Sequence, residues 1–354
     1  MVGVVDDTLR EGMQTPGLMF SREERLRIAE GLLRAGVRRL IVSYPPAHLS
    51  ECEAASAITI LAGSMGQGFE VFGLGRALEK DVDRVAATGA NIAVHLPFDG
   101  RYEEALKAVR YAKDVYPDRL VSVGLVDVGS YSVDGLRHVA QKFDHAGADR
   151  IGLPDTTGTL YPARYTEIVR SVKSVVGAEV SVHCHNDKGL AVANSLAGVE
   201  GGADMVECTV LGLGERNGIA DLAVVAGALE AHGENVGIDL DKLRGVYDLV
   251  NGIVTQKLGF GLLLDNYPLF GGFLGVHTAG THVGSEKFPG ERYSVNVYTG
   301  RRMIRRILSA AGFRSISEDE LSTLVAKVKD ECALTGRALS YDRVLEMARQ
   351  IVGS

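Results

Sequence analysis

The sequence predicts a (β/α)8 barrel followed by a smaller, mainly helical C-terminal region. Three observations point to it. First, short β-branched runs recur about every 30 residues through the first two-thirds of the chain, alternating with amphipathic stretches. Second, several of those stretches end alike, in Ala35-Gly36-Val37, Thr88-Gly89-Ala90, Ala146-Gly147-Ala148 and Gly201-Gly202-Ala203. A glycine just past a helix and just before the next strand is a C-cap signal. Third, no G-x-G-x-x-G turn is present, which favours the barrel over the doubly wound sheet, the structural alternative that the same alternation allows.

In chain order, the predicted strands are Gly3–Asp6, Arg39–Ser43, Glu70–Gly73, Asn91–His95, Leu120–Val126, Arg150–Leu153, Val180–Cys184 and Met205–Cys208. The predicted helices between them include Ser21–Ala35, Glu79–Thr88, Arg101–Val115, Asp134–Ala146 and Pro162–Val176. Ser21 with Glu24 three residues on forms a capping box for the first. The barrel is expected to occupy 1–235. The C-terminal region, 236–354, reads as a helix over Asp239–Val254, a glycine-rich passage Gly259–Gly280 and a mixed segment Phe288–Tyr298. Helices Arg301–Ala311, Glu318–Thr335 and Tyr341–Ile351 follow.

Composition excludes several classes. At 354 residues, 46% hydrophobic and 23% charged, the chain can bury one large core plus an appendage. No run approaches the roughly 18–20 apolar residues of a membrane span, and no charged leader precedes an apolar stretch, so a cytoplasmic protein is expected. Four cysteines without C-x-x-C spacing suit a reducing compartment. A net charge of −7 argues against nucleic-acid binding, which needs a basic surface.

The chemistry is concentrated in V-S-V-H-C-H-N, Val180–Asn186. In an extended chain, residues i and i+2 share a face, so His183 and His185 look the same way, about 6–7 Å apart, a spacing that suits one metal ion. Cys184 faces away and reads as packing. The alternative is a hydrogen-bonded histidine pair at a strand end. Other polar clusters fall at equivalent strand ends: Asp6 to Gln14, His95, Pro154 to Gly158, and Gly212 to Gly218. Each alone could be a turn. Together they stand where a barrel places its active site.

The motifs T-L-R-E-G-x-Q, D-T-T-G, H-C-H-N-D-x-G-L-A-V-A-N-S and G-L-G-E-R-N-G-I, in that order, resemble the family of homocitrate synthase and isopropylmalate synthase. That family belongs to the metal-dependent group containing hydroxymethylglutaryl-CoA lyase. Glu11 after Arg10, and Asn217-Gly218-Ile219, lean toward the homocitrate synthase branch. The resemblance implies condensation of acetyl-CoA with a 2-oxo acid, then thioester hydrolysis. It further implies a divalent cation (Zn, Mn, Co or Mg) on Glu11, His183 and His185. Arg10 would stabilise developing negative charge, although an ion pair with Asp6 or Asp7 is its structural alternative. Gln14, His95, Ser130, Thr156 and Thr157 would meet or support substrate. The segment Gly275 to His282 continues the likeness, with His282 as general base or relay and Glu215, Tyr293 or Tyr298 as partners, in a homodimer whose C-terminal regions cross over.

One departure touches the substrate. Relatives carry E-D-x-x-R-S on the fifth strand, where the arginine can read the far carboxylate of 2-oxoglutarate. Here the stretch is Val126-Asp127-Val128-Gly129-Ser130-Tyr131. An altered 2-oxo acid specificity is expected, with Arg76 and Lys188 the nearest cations able to compensate. Two further readings stand beside synthase: a carbon–carbon lyase or aldolase on the same barrel, and a non-catalytic barrel that keeps the metal.

Overall fold

A computed structural model describes residues 2–96, 102–278, 292–313 and 316–352. Eight parallel strands close into a barrel in chain order. They are β1 (Gly3–Asp6), β2 (Arg39–Ser43), β3 (Glu70–Arg76), β4 (Asn91–His95), β5 (Val121–Gly124), β6 (Arg150–Asp155), β7 (Glu179–Cys184) and β8 (Met205–Cys208). Closure is made by β8 pairing with β1, Gly3 opposite Met205 through Asp6 opposite Cys208.

The surrounding helices are α1 (Arg22–Arg34), α2 (Leu49–Met65), α3 (Glu79–Ala86), α4 (Tyr102–Val115), α5 (Val133–His145), α6 (Pro162–Lys173), α7 (Ala191–Glu200) and α8 (Leu222–Ala231). The capping box of Ser21 and Glu24 opens α1. The repeated C-cap glycines adopt left-handed backbone: Gly36, Gly89, Gly147 and Gly202 all have positive φ. Gly36 also has no room for a side chain, since a Cβ would lie 2.3 Å from the Gly237 carbonyl oxygen. Three barrel helices, α2, α7 and α8, have no counterpart among the helix ranges read from the sequence, although Gly201-Gly202-Ala203 marks the end of α7. On α2, Leu49 and Ile60 are largely exposed while Ala54 and Ala55 are buried, so its apolar residues do not mark the inner face.

The chain divides after Leu263, not at 235. The reason is α9 (Leu240–Leu258), which lies against α1 and is pinned to the barrel. The buried Tyr247 hydroxyl donates to Asp221 Oδ2 at 2.9 Å and accepts from the Ala223 amide at 2.8 Å. Tyr247→Phe leaves both buried groups short of a partner and is expected to cost about 1–3 kcal/mol. A denaturation midpoint lowered at constant slope checks this.

The second unit, Leu264–Ser354, contains a short parallel pair, β9 (Val276–His277) with β10 (Arg292–Tyr293). It also contains α10 (Arg301–Ala310), α11 (Glu318–Thr335) and α12 (Tyr341–Val352). Its core is built by Ile304, Ile307, Leu321, Leu324, Val328 and Val344 among others, all buried at helical spacing. Among the described residues, no helix is long and apolar enough to cross a membrane.

Candidate active site

The loop after β1 is a compact turn. The Asp7 carbonyl accepts from the amides of Arg10, Glu11 and Gly12. This turns Glu11 inward, where its Oε1 accepts from the Glu215 amide at 3.0 Å. That amide belongs to the G-E-R-N-G loop, whose tight path needs Gly218: a Cβ there would sit 1.7 Å from the Gly212 carbonyl oxygen, at φ +76. The Gln14 side chain, with its amide nitrogen turned toward the same carboxylate, lies 3.1 Å from Oε2.

From β7, His183 and His185 do face one way, with ring centroids 5.1 Å apart. Cys184 is buried on the other side, next to Tyr165 and Ser195. Ligand-type atoms of Glu11, His183 and His185 lie within 4.8 Å of one another, and all three residues are buried. His183 Nδ1 stands 3.0 Å from Glu207 Oε2, and Ser181 Oγ donates to Glu207 Oε1 at 2.7 Å. An ionised carboxylate only accepts, so Nδ1 carries a proton, and in the neutral ring Nε2 is the nitrogen that keeps a lone pair. Nδ1 of His185 is buried without a hydrogen-bond partner among the described residues. A buried imidazole nitrogen left unpaired is costly, and a metal ligand is what such an atom suits.

Electrostatics make Glu11 and His185 ready donors, whereas His183 is drawn toward its protonated form and must give up a proton to serve as one. Burial pushes the Glu11 carboxyl up, but Arg10, His183 and the Glu215 amide pull it further down, so it rests below its ordinary range. Burial favours neutral His183, yet the hydrogen bond and charge of Glu207 hold its pKa above the ordinary value. His185 is pushed down to about 4, by burial first and then by neighbouring His183, so it is neutral near pH 7.

Arg10 adopts the ion pair foreseen as its alternative and also faces the cavity. Its Nε donates to Asp7 Oδ1 at 3.0 Å, a second nitrogen to Asp7 Oδ2, and Nη1 to Glu11 Oε2 at 2.5 Å. Asp6 takes no part, since it accepts from Thr8 instead. The cavity at this barrel mouth encloses about 230 Å³ and is lined in part by Arg10, Glu11, Gln14, His95, Thr156, His183, His185, Glu207 and Glu215.

Other expected site residues lie elsewhere. Ser130 is exposed and its hydroxyl donates to the Asp127 carbonyl at 2.8 Å. Asp127 takes φ 53, and the 3-10 turn Val128–Ser130 carries Ser130 away from the cavity, leaving Val126 as the residue that lines it. Thr157 is exposed as well, 3.0 Å from Thr159 Oγ1, whereas Thr156 lines the cavity and accepts from the Asp127 amide at 2.9 Å. Tyr298 is 73% exposed in the second unit. His282 lies outside the described residues. Arg76 is paired with Asp81 at 2.7 Å, Lys188 is exposed, and neither lines the cavity. The sequence reading passed over Glu207. A single acid in the apolar run Met205-Val206-Glu207-Cys208, in register with His183, was the available signal.

A family model described as HMGL-like matches residues 1–250. The chain belongs to the HMGL-like family. Within it, homocitrate synthase of Saccharolobus solfataricus is 33% identical over 99% of this chain and 80% of its own length. Homocitrate synthase of Sulfurisphaera tokodaii is 34% identical over 99% and 81%. Among solved structures, the HMG-CoA lyase of Bacillus subtilis superposes with a TM-score of 0.64 at 16% identity, covering 73% of this chain and 94% of that one. The carboxyl transferase domain of Rhizobium etli pyruvate carboxylase gives 0.64 at 19%, covering 73% and 48%. These structural likenesses concern the barrel fold that the HMGL-like chain shares with them.

Proposed function

We propose that this HMGL-like protein condenses acetyl-CoA with a 2-oxo acid and hydrolyses the resulting thioester, releasing CoA and a 2-hydroxy dicarboxylate. The observation that carries the reading is the convergence of Glu11, His183 and His185 within 4.8 Å, with Arg10 on the same cavity. The identity to homocitrate synthases over nearly the whole chain supports it.

A divalent cation (Zn, Mn, Co or Mg) held by those three side chains would supply the positive charge that polarises a ketone oxygen. Glu207 fixes the His183 tautomer, while Gln14 and the Glu215 amide aim Glu11. In the condensation, a base removes a methyl proton from acetyl-CoA, the carbon bonds to the ketone carbon, and the ketone oxygen gains a proton. Arg10 stabilises the negative charge passing through that oxygen. Thr156, whose oxygen already accepts from Asp127, has its own proton to offer a substrate carboxylate. Water then replaces the thiolate at the thioester carbonyl. For the base, this reading keeps His282, near-neutral in ordinary pKa, with Glu215 and Tyr298 as its helpers. It also keeps a homodimer in which the C-terminal region serves the partner's site.

Release of free thiol tests the proposal. CoA should appear only when acetyl-CoA, a 2-oxo acid and a divalent cation are all present. Release without the 2-oxo acid, or turnover confined to cleavage of a hydroxyacyl thioester, would replace condensation by hydrolysis or lyase chemistry.

A further inference from the structure

The cavity wall away from the histidines has a different chemistry. Along β5 and just beyond, Ser122, Gly124 and Val126 face the cavity, while Val121 and Val123 are fully buried on the outer side. On the next strand, Gly152 also faces in, and a Cβ built on it would lie 3.5 Å from Gly124 Cα. Ile41 from β2 and Leu74 from β3 complete the wall. It is therefore mostly aliphatic, with bare backbone at its centre and the hydroxyls of Ser122 and Tyr44 as its uncharged polar groups.

No described cation is placed to meet a charge there. Arg10 is shared between Asp7 and Glu11. His95 borders the cavity, and burial holds its pKa below the ordinary value, so it is neutral near pH 7. A carboxylate laid against this wall would lose its water and gain no cationic partner among the described residues, only neutral hydroxyls.

Resting on the condensation reading, we infer that the site takes a 2-oxo acid whose tail is uncharged and apolar, and that Gly124 sets the tail's length. Gly124 suits that role for a geometric reason. A Cβ added there meets nothing closer than the Val94 carbonyl oxygen at 3.8 Å and His95 Cβ at 3.9 Å. The barrel can thus accept the extra carbon, and the volume comes out of the cavity. At Gly152 the same change would crowd Ser181 Oγ at 3.3 Å.

The test compares 2-oxobutyrate, 3-methyl-2-oxobutanoate, 4-methyl-2-oxopentanoate and 2-oxoglutarate with the wild type, Gly124→Ala and Gly124→Val. Thiol release and thermal shifts of the Mn²⁺-loaded protein are both recorded. At least one aliphatic acid should exceed 2-oxoglutarate in kcat/KM by about a hundredfold or more, the scale of an unpaired buried charge. Gly124→Val should lower the ratio of kcat/KM for the longest acid over the shortest by about tenfold to two-hundredfold, and Gly124→Ala by less. Preference for 2-oxoglutarate overturns the inference, and an unchanged ratio in folded Gly124→Val removes Gly124 from it. If no acid yields CoA, the condensation reading fails, and the thermal shifts then decide the pocket. Stabilisation by the aliphatic acids alone upholds an apolar site. Stabilisation by 2-oxoglutarate, or by none of the four, ends it.

Discussion

Alanine at His183 or His185 is expected to abolish metal retention and turnover together while the barrel stays folded. Each change removes one of three proposed ligands at the barrel mouth: His183 lies within β7, its backbone paired with β6 and β8, and His185 just past the strand's end, so only side-chain atoms are lost and the ladder is kept. The two should differ in stability. Removing His183 leaves the Glu207 carboxylate buried with Ser181 as its one remaining hydrogen-bond partner among the described residues, a cost of about 1–3 kcal/mol. Removing His185 strands no partner of its Nδ1, which has none among the described residues, so the apo-protein should melt close to the wild type. Metal analysis of dialysed protein, with melting curves beside it, reads both effects. A double variant that keeps stoichiometric metal would sink the assignment.

Arg10→Lys should lower turnover by on the order of a hundredfold or more while metal is retained, the scale seen when an oxyanion donor is lost. The guanidinium serves Asp7 with two nitrogens and Glu11 with a third. A lysine keeps the charge but cannot span both carboxylates and still face the cavity. Steady-state kinetics on the metal-loaded variant decide between two roles. Normal kcat would make Arg10 only the structural partner of Asp7 and Glu11.

How far such residues were legible in the sequence depended on local geometry. β1, β2, β4 and β8 run over the residues their β-branched runs mark. β3 runs past the expected end at Gly73, through Gly75 to Arg76, and β6 past Leu153, through Pro154 to Asp155, although glycine and proline usually weaken or end a strand. In this barrel the ladder tolerates both. His183, His185 and Glu11 were legible for two reasons: strict alternation fixes where the histidines point, and the motif around Glu11 is distinctive. Ser130 was misplaced because the chain leaves β5 through a left-handed Asp127, and no alternation rule carries past such a turn. The aliphatic wall was invisible for another reason. Ile41, Leu74, Gly124 and Gly152 are ordinary strand residues until barrel closure gathers them around one cavity.

The most direct measurement follows the carbon. The protein, loaded with a divalent cation, is given acetyl-CoA labelled with ¹³C in the methyl group together with an unlabelled 2-oxo acid. Condensation places the label in a methylene group bonded to a carbinol carbon, visible by NMR, in step with thiol release. Label recovered as free acetate, or as unchanged acetyl-CoA under every metal and 2-oxo acid tried, would contradict it.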